Sequence, residues 1–352
     1  MTETRFLAVA CVRNEGAFLL DWIAHHRAVG FTDFLIYSND CQDGSDTLLD
    51  RLDAAGVVHH RRNPGPYQGG IQFTAMKAAG KDPVYKAADW VMPLDLDEYL
   101  NIHVGANRLT DLVTALPDMA ACSVAWRMFG NAGVRRFDPA PVTAQFTRAA
   151  PEIMLWPWRA FLLKTLYRRD AFARPGIHRP VQKKGAAPGA WFDGQGRRMP
   201  DQFVESARTF AFFGQPLYRL AQVNHYALQS AENYLLKVDR GRAVHADETL
   251  GLDYWIERNW NQIDDLTIAR YAAATAAERQ LLTEIEGVAE RAEAAISWRR
   301  IRIAELLEDR ANREFYARLL MLAPSLIVPP DVAMHIHSAG SGTKTARSAN
   351  KS

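Results

Sequence analysis

The sequence predicts an α/β fold: a mostly parallel sheet in the first half, followed by a helical C-terminal region. Three observations carry that expectation. Strand-like apolar runs alternate with segments of helical periodicity through the first hundred residues, polar and acidic clusters fall at the ends of strand-like runs, and from Ala231 the pattern turns helical. Such alternation is the signature of βαβ units. With 352 residues, nearly half of them apolar, the chain can bury a substantial core and hold more than one domain.

Phe6–Val12 is a continuous apolar run, as a strand covered on both faces should be. Glu15–Val29 places Phe18, Leu19, Trp22, Ile23 and His26 at helical spacing and stops at Gly30, a residue suited to a helix C-terminus. A second strand over Phe34–Tyr37 leads through the turn-rich Ser38–Ser45 into a helix over Asp46–Ala55, and Val57–His60 makes a third strand. Gln68–Ala79 reads as a third helix and Trp90–Leu94 as a fourth strand, which stops at Asp95-Leu96-Asp97-Glu98-Tyr99. Past Asn101 the alternation weakens. A helix over Leu109–Leu116 and strands over Cys122–Phe129 and Phe161–Tyr167 are separated by Pro- and Arg-rich loops, the pattern of an α+β half built onto the first. Ala276–Leu322, rich in Ala, Glu, Arg and Leu, reads as helical, whereas the Ser-, Gly- and Lys-rich stretch after Pro330 is expected to be disordered.

Composition narrows the function. With 42 basic against 40 acidic residues, the formal charge of +2 offers no field for nucleic acid or anionic lipid, so any phosphate must be met by local cations. Cys11, Cys41 and Cys122 are an odd number within or beside apolar runs, which fits reduced structural thiols in a cytoplasmic protein. The N-terminal MTETRFLAVACV resembles neither a signal peptide nor a spanning helix. Leu319–Pro330 is too short and Pro-broken to span, so no transmembrane segment is expected.

Asp95-Leu96-Asp97 is the strongest local signal. Side chains at i and i+2 of extended chain point the same way and can share one cation, and hard carboxylate oxygens suit Mn²⁺ or Mg²⁺ held partly through substrate phosphates. At the C-terminal end of a strand they would stand where open α/β sheets bind ligands. Acidic pairs also cap helices and decorate turns, so this one gains weight only from its surroundings. The first β–α junction reads Cys11-Val12-Arg13-Asn14-Glu15, the second Ser38-Asn39-Asp40-Cys41-Gln42-Asp43-Gly44-Ser45, and both fall on the same sheet edge as the acidic pair.

In these residues the chain resembles the glycosyltransferase family 2-like proteins of the GT-A fold, in the branch that shares motifs with the galactosyltransferase-like family 92. The matching stretches are VRNE at Val12–Glu15, the helix EGAFLLDWIAHHRAVG with Asp21 in place of the family's acid, IYSNDCQDGS, DLDEY, His178-Arg179-Pro180 and NHYALQSAENYLLKVDRGR. They extend from roughly Arg5 to Arg242. The resemblance implies a GT-A (Rossmann-like) domain over 1–242, with a nucleotide-binding half (1–100) and an acceptor half (101–242). A helical C-terminal region (243–330) and a disordered tail (331–352) would complete the chain. The implied reaction moves a sugar from a nucleoside-diphosphate sugar, a UDP-sugar favoured, onto a hydroxyl of a glycan, lipid-linked or protein acceptor, with inversion and with Mn²⁺ or Mg²⁺ as cofactor. By the same resemblance Val12, Arg13, Asn14 and Glu15 cradle the nucleoside, Asp95 and Asp97 hold ribose and metal, and His225 is the third metal ligand. The acidic base reader of the family falls at Asn39, and because an amide donates as well as accepts, the base stays open.

Asn224-His225-Tyr226 precedes a capping serine, Ser230, and a helix over Ala231–Arg240 that ends near Gly241. His225 is a nitrogen donor for a cation, although histidine has many structural uses. Lys237 and Arg240, three apart on one helix face, could with Arg242 neutralise a leaving diphosphate; the alternative is a solvated face. His25 and His26 diverge on a helix and His59 and His60 alternate across a strand, so all four read as structural, as does the Trp156-Pro157-Trp158 cluster. The general base is unassigned, with Glu152, Asp193 and Asp201 as candidates. A phosphatase of the haloacid-dehalogenase type would carry its D-x-D after the first strand, not the fourth, and a kinase would need the absent G-x-x-x-x-G-K-[ST]. The non-enzyme alternative is a degenerate glycosyltransferase fold that binds a sugar or a partner.

Overall fold

The computed structural model describes residues 4–67, 69–185, 189–210, 214–241 and 250–348. The first half alternates as expected: β1 Phe6–Val12, α1 Gly16–Val29, β2 Asp33–Ser38, α2 Ser45–Ala54, β3 His59–Arg62, α3 Ile71–Ala79, a short α4 Pro83–Ala87 and β4 Trp90–Pro93. Next come β5 Glu98–Ile102, α5 Leu109–Ala115, β6 Met119–Met128, a short α6 Val142–Gln145, β7 Arg148–Ala149, β8 Leu163–Arg168, β9 Ala190–Asp193, a short α7 Asp201–Glu205 and β10 Ala221–His225. The remainder is α8 Ala231–Arg240, α9 Leu252–Ile256, β11 Ile263–Asp264, α10 Ala272–Thr283, α11 Val288–Glu308, α12 Arg310–Met321 and α13 Pro330–Ser348.

The main sheet runs β3-β2-β1-β4-β8-β6-β10-β5, with β9 beside the first half of β6. β3, β2, β1 and β4 are parallel, and their carboxyl ends share the edge where such sheets bind ligands. β8 lies antiparallel between β4 and β6, and β10 pairs parallel with β6 and antiparallel with β5. The last pairing sets His225 opposite Glu98, which carries the end of β10 to the acidic cluster. The sequence reading places no strand at β5, β9 or β10. In β10 the reason is visible: buried Gln222 donates to Asn224 Oδ1 (2.7 Å) and Asp265 Oδ2 (2.9 Å), and Asn224 donates to the Tyr226 hydroxyl (3.0 Å). Partners from within the segment and from distant Asp265 let a polar strand sit in the core, which no hydrophobic pattern reveals.

α1 shows the complementary effect. Its apolar spacing predicts one buried face, yet Leu20, Asp21, His25 and Ala28 are buried as well, because α10 and α11 cover the outer side. Asp21 pairs with Arg279 of α10 at 2.8 Å. His25 and His26 meet the Leu100 and Trp22 carbonyls at 2.8 Å each, the structural duty expected of them. The approach of α11 is close enough to require glycine at position 16, since a Cβ there would lie 2.7 Å from the Ala295 side chain. Gly16→Ala should therefore lower the unfolding free energy, measured by urea titration, by about 1–3 kcal/mol, the usual cost of overpacking.

The stretch after Pro330, expected to be disordered, is instead helical through Ser348. Its first turns have something to bury against: Ala333 is fully buried, and His337 meets the Leu155 carbonyl at 2.8 Å and the Trp156 ring at 5.4 Å. The three cysteines are free thiols. Among the described residues no helix is long and apolar enough to cross a membrane.

Candidate active site

At the carboxyl ends of β1, β2 and β4 lies a cavity of about 360 Å³, walled by Val12, Arg13, Glu15, Asn39, Asp95, Asp97, His225, Lys237 and Arg240. These are the site residues expected from sequence, save one. Asn14 stands behind the wall, 3% exposed and in the left-handed region at φ 54°, with its Oδ1 accepting from the Gln42 amide (2.7 Å). Arg242 lies outside the described residues.

The two aspartates are not side by side on extended chain. β4 ends at Pro93 and Leu96-Asp97 form a turn into β5, so the expected i, i+2 alternation does not apply and the carboxylates take different partners. Asp95 accepts from Gln72 Nε2 (2.8 Å) and Lys164 Nζ (3.0 Å), while its amide donates to Glu98 Oε2 (2.9 Å). Lys164 also reaches Glu98 at 3.3 Å, both side chains being wholly buried. Burial pushes the Glu98 carboxyl well above the ordinary range; Lys164 opposes this, while the neighbouring Asp95 and Asp97 add to it.

Asp97 faces the other strand-end. Its Oδ2 accepts from Lys237 Nζ (2.8 Å) and its Oδ1 lies 3.7 Å from His225 Nε2. Burial alone would raise this carboxyl, but Lys237 and His225 outweigh burial and hold it well below the usual range. Burial lowers His225, opposed only in part by Asp97; its ring lies on Trp126, with centroids 4.0 Å apart. Arg240 donates to the Arg13 carbonyl (2.8 Å) and pairs with Glu15 (2.7 Å). Lys237 and Arg240 thus share one helix face, as their spacing predicts, and that face looks into the cavity rather than to solvent.

An ionised carboxylate and a neutral imidazole are the protonation states a cation needs. Two metal–ligand bonds of about 2.1–2.3 Å span the Asp97–His225 gap, so this pair fits a divalent ion. His225 Nδ1 is buried without a hydrogen-bond partner. Among the described residues, no three His, Cys, Asp or Glu side chains stand together as a ligand set; Asp95 takes Lys164 and Gln72 as its partners.

Asn39 is 1% exposed; its Nδ2 donates to the Asn63 carbonyl (3.0 Å) and its Oδ1 has no partner. His178 lines the same cavity, its Nδ1 meeting the Leu163 carbonyl at 3.0 Å, and burial lowers its pKa to about 4. Arg179, beside it in the sequence motif, donates instead to the Phe203, Val204 and Arg208 carbonyls and serves the fold. Of the three candidate bases none lines the cavity: Asp193 is spent on Arg197 and on turn amides, and Glu152 and Asp201 are exposed. Sequence reasoning missed Lys164, Gln72 and Trp126. For Lys164 there is a signal, a lone lysine inside the apolar run Phe161–Tyr167, where only a paired charge can be buried.

The sequence profile of glycosyltransferase family 92 matches residues 8–188, just over half of the chain. The chain belongs to glycosyltransferase family 92. A family 92 protein of Ricinus communis is 27% identical over 144 residues, 39% of this chain and 25% of that protein. One of Oryza sativa subsp. japonica is 27% identical over 150 residues, 40% of this chain and 24% of that protein. This chain therefore spans about a quarter of the length of the curated relatives it matches. Among solved structures, S. aureus TarS aligns at a TM-score of 0.30 and 15% identity, over 48% of this chain and 29% of that one. TarS 1–349 in complex with UDP aligns at 0.30 and 14%, over 48% of each chain. The family 92 match ends before β10 and α8, so His225, Lys237 and Arg240 join the cavity from beyond it.

Proposed function

We propose that this glycosyltransferase takes its sugar from a nucleoside-diphosphate donor, a UDP-sugar favoured, and passes it with inversion to a hydroxyl of a glycan, lipid-linked or protein acceptor. The observation that carries the reading is the meeting of Asp97, His225, Lys237 and Arg240 in the cavity that also holds Val12–Glu15 and Asn39. Because the Asn39 amide nitrogen donates to both the Asn63 carbonyl (3.0 Å) and the Tyr67 hydroxyl (3.4 Å), only its Oδ1 acceptor is left. It suits a base edge that presents an N–H, which uracil and guanine offer on a ring nitrogen and cytosine on its amino group. Lys237 and Arg240 supply the local positive charge that a departing diphosphate needs and that the net charge of the chain does not provide. Asp97 and His225 would hold a Mn²⁺ or Mg²⁺, which when bound adds Lewis-acid neutralisation of the diphosphate. Asp95, braced by Lys164 and Gln72 with its carboxylate 30% exposed, is placed to accept ribose hydroxyls.

Calorimetry with UDP, GDP and their sugars, with and without Mn²⁺, tests this. UDP or GDP should bind more tightly with the ion, and failure of every nucleotide would leave a degenerate binding module. A second experiment separates phosphate recognition from nucleoside recognition. Lys237→Ala and Arg240→Ala should each weaken UDP by about 10–100-fold, the loss of a hydrogen bond to a charged group, while uridine changes little. Equal small losses for both ligands would deny α8 any part in binding the diphosphate.

A further inference from the structure

We propose that Arg299, on the C-terminal helix α11, is a positioning residue of the donor site, clamping the Val12–Glu15 loop to the cationic helix α8. The proposal rests on the donor reading above and adds to it a role for the helical region beyond the family match.

Arg299 is 3% exposed and, among the described residues, no carboxylate pairs with it directly; its hydrogen bonds go to two uncharged oxygens. Nη2 donates to the Asn14 carbonyl and Nη1 to Asn233 Oδ1, each at 3.0 Å. The two acceptors belong to the two halves of the site. Asn14 lies in the loop whose neighbours Arg13 and Glu15 line the cavity, and Asn233 lies on α8, one turn before Lys237. Asn233 is itself fixed, its amide on Ser230 Oγ (3.1 Å) and its side chain on Gln229 Oε1 (3.0 Å).

Arg240 grips the same loop one residue earlier, at the Arg13 carbonyl, so two guanidinium groups from different helices hold successive carbonyls. The loop needs holding: a non-glycine residue in the left-handed region persists only where its surroundings over-determine it. Burying a guanidinium without a directly paired carboxylate is costly, and its pKa is lowered to about 10 by burial and by Arg240, with Asp43 and Glu15 opposing, yet it stays charged at neutral pH. The planar fork of arginine reaches both oxygens at once, which a lysine ammonium does not reproduce. The same face of α11 carries Ala295, four residues earlier, whose contact with Gly16 brings the helix down on the loop.

The test uses the full chain and compares Arg299→Lys with wild type. The control is Arg300→Ala, whose side chain is 53% exposed and pairs with Glu293 of the same helix at 3.6 Å. UDP and uridine affinities with Mn²⁺ are measured beside melting temperature and hydrogen exchange of the Asn14–Gly16 amides without ligand. Arg299→Lys should stay folded, bind UDP and uridine both about tenfold or more weakly, and exchange faster at the loop, because the loop meets the nucleoside. That equal loss sets it apart from Lys237→Ala, whose loss falls on UDP. Should Arg299→Lys not fold, Asn233→Ala opens the other end of the clamp and should give the same equal loss. Affinities within twofold of wild type together with unchanged exchange would overturn the proposal. If wild type binds no nucleotide, the donor reading fails, and the exchange comparison by itself decides whether the clamp exists.

Discussion

Asp97→Ala is expected to abolish sugar transfer, by about 10³-fold or more, and to remove Mn²⁺-dependent nucleotide binding while the protein stays folded. The size follows from what the carboxylate does: it is the group shared by Lys237 and His225, so its loss removes the organising charge of the site, and each tenfold in rate is about 1.4 kcal/mol of barrier. Tolerance by the fold follows from position. Asp97 lies in a turn on the cavity wall and leaves behind Lys237, whose side chain is 18% exposed and can be hydrated from the cavity. Because the folded protein holds Asp97 below its unfolded value of about 3.9, its contribution to stability is present above that pH and is lost as pH falls further. Wild type and variant should therefore converge in stability in acid and differ at neutral pH. Turnover, UDP titration with and without Mn²⁺, and melting curves at both pH values make the check. Retention of ion-dependent UDP binding by the variant would refute the assignment of Asp97.

The first four strands and their helices are legible in the sequence because each buries an apolar pattern against its immediate neighbours, as the wholly buried Phe6–Ala10 run does. The junction residues Val12–Glu15 and Asn39 are legible for another reason: β–α junctions on one sheet edge must converge, whatever the loops do. What is not legible depends on partners far along the chain. Gln222 lies in a core strand because Asp265, 43 residues on, satisfies it, and α1 loses its polar face only because α10 and α11 arrive more than two hundred residues later. The D-x-D pair shows the same limit at atomic scale. Its spacing suggests one shared cation, but the turn at Leu96-Asp97 gives one carboxylate to β8 through Lys164 and the other to α8 through Lys237.

Lys164→Met should produce the largest loss of stability of any single change proposed, about 3–5 kcal/mol, the usual penalty for deleting one partner of a buried ion pair. The ammonium is 1% exposed and is the one group that balances Asp95 at 3.0 Å and Glu98 at 3.3 Å, with Asp97 adding a third negative charge nearby. Without it Glu98 keeps its raised pKa and loses the attraction that opposed the rise. A carboxyl whose folded pKa lies above its unfolded value of about 4.3 gives stability that is complete below that value and is lost as pH rises through the folded pKa. The deficit of Lys164→Met should therefore be greatest at neutral pH and should narrow as pH falls and Glu98 takes up a proton. Glu98→Gln supplies the same neutralisation permanently, so the double variant should recover much of the loss at neutral pH. Urea unfolding of wild type, both single variants and the double variant at two pH values measures the coupling directly. A deficit that neither acid nor Glu98→Gln relieves would mean that Lys164 matters for its packing and not for its charge.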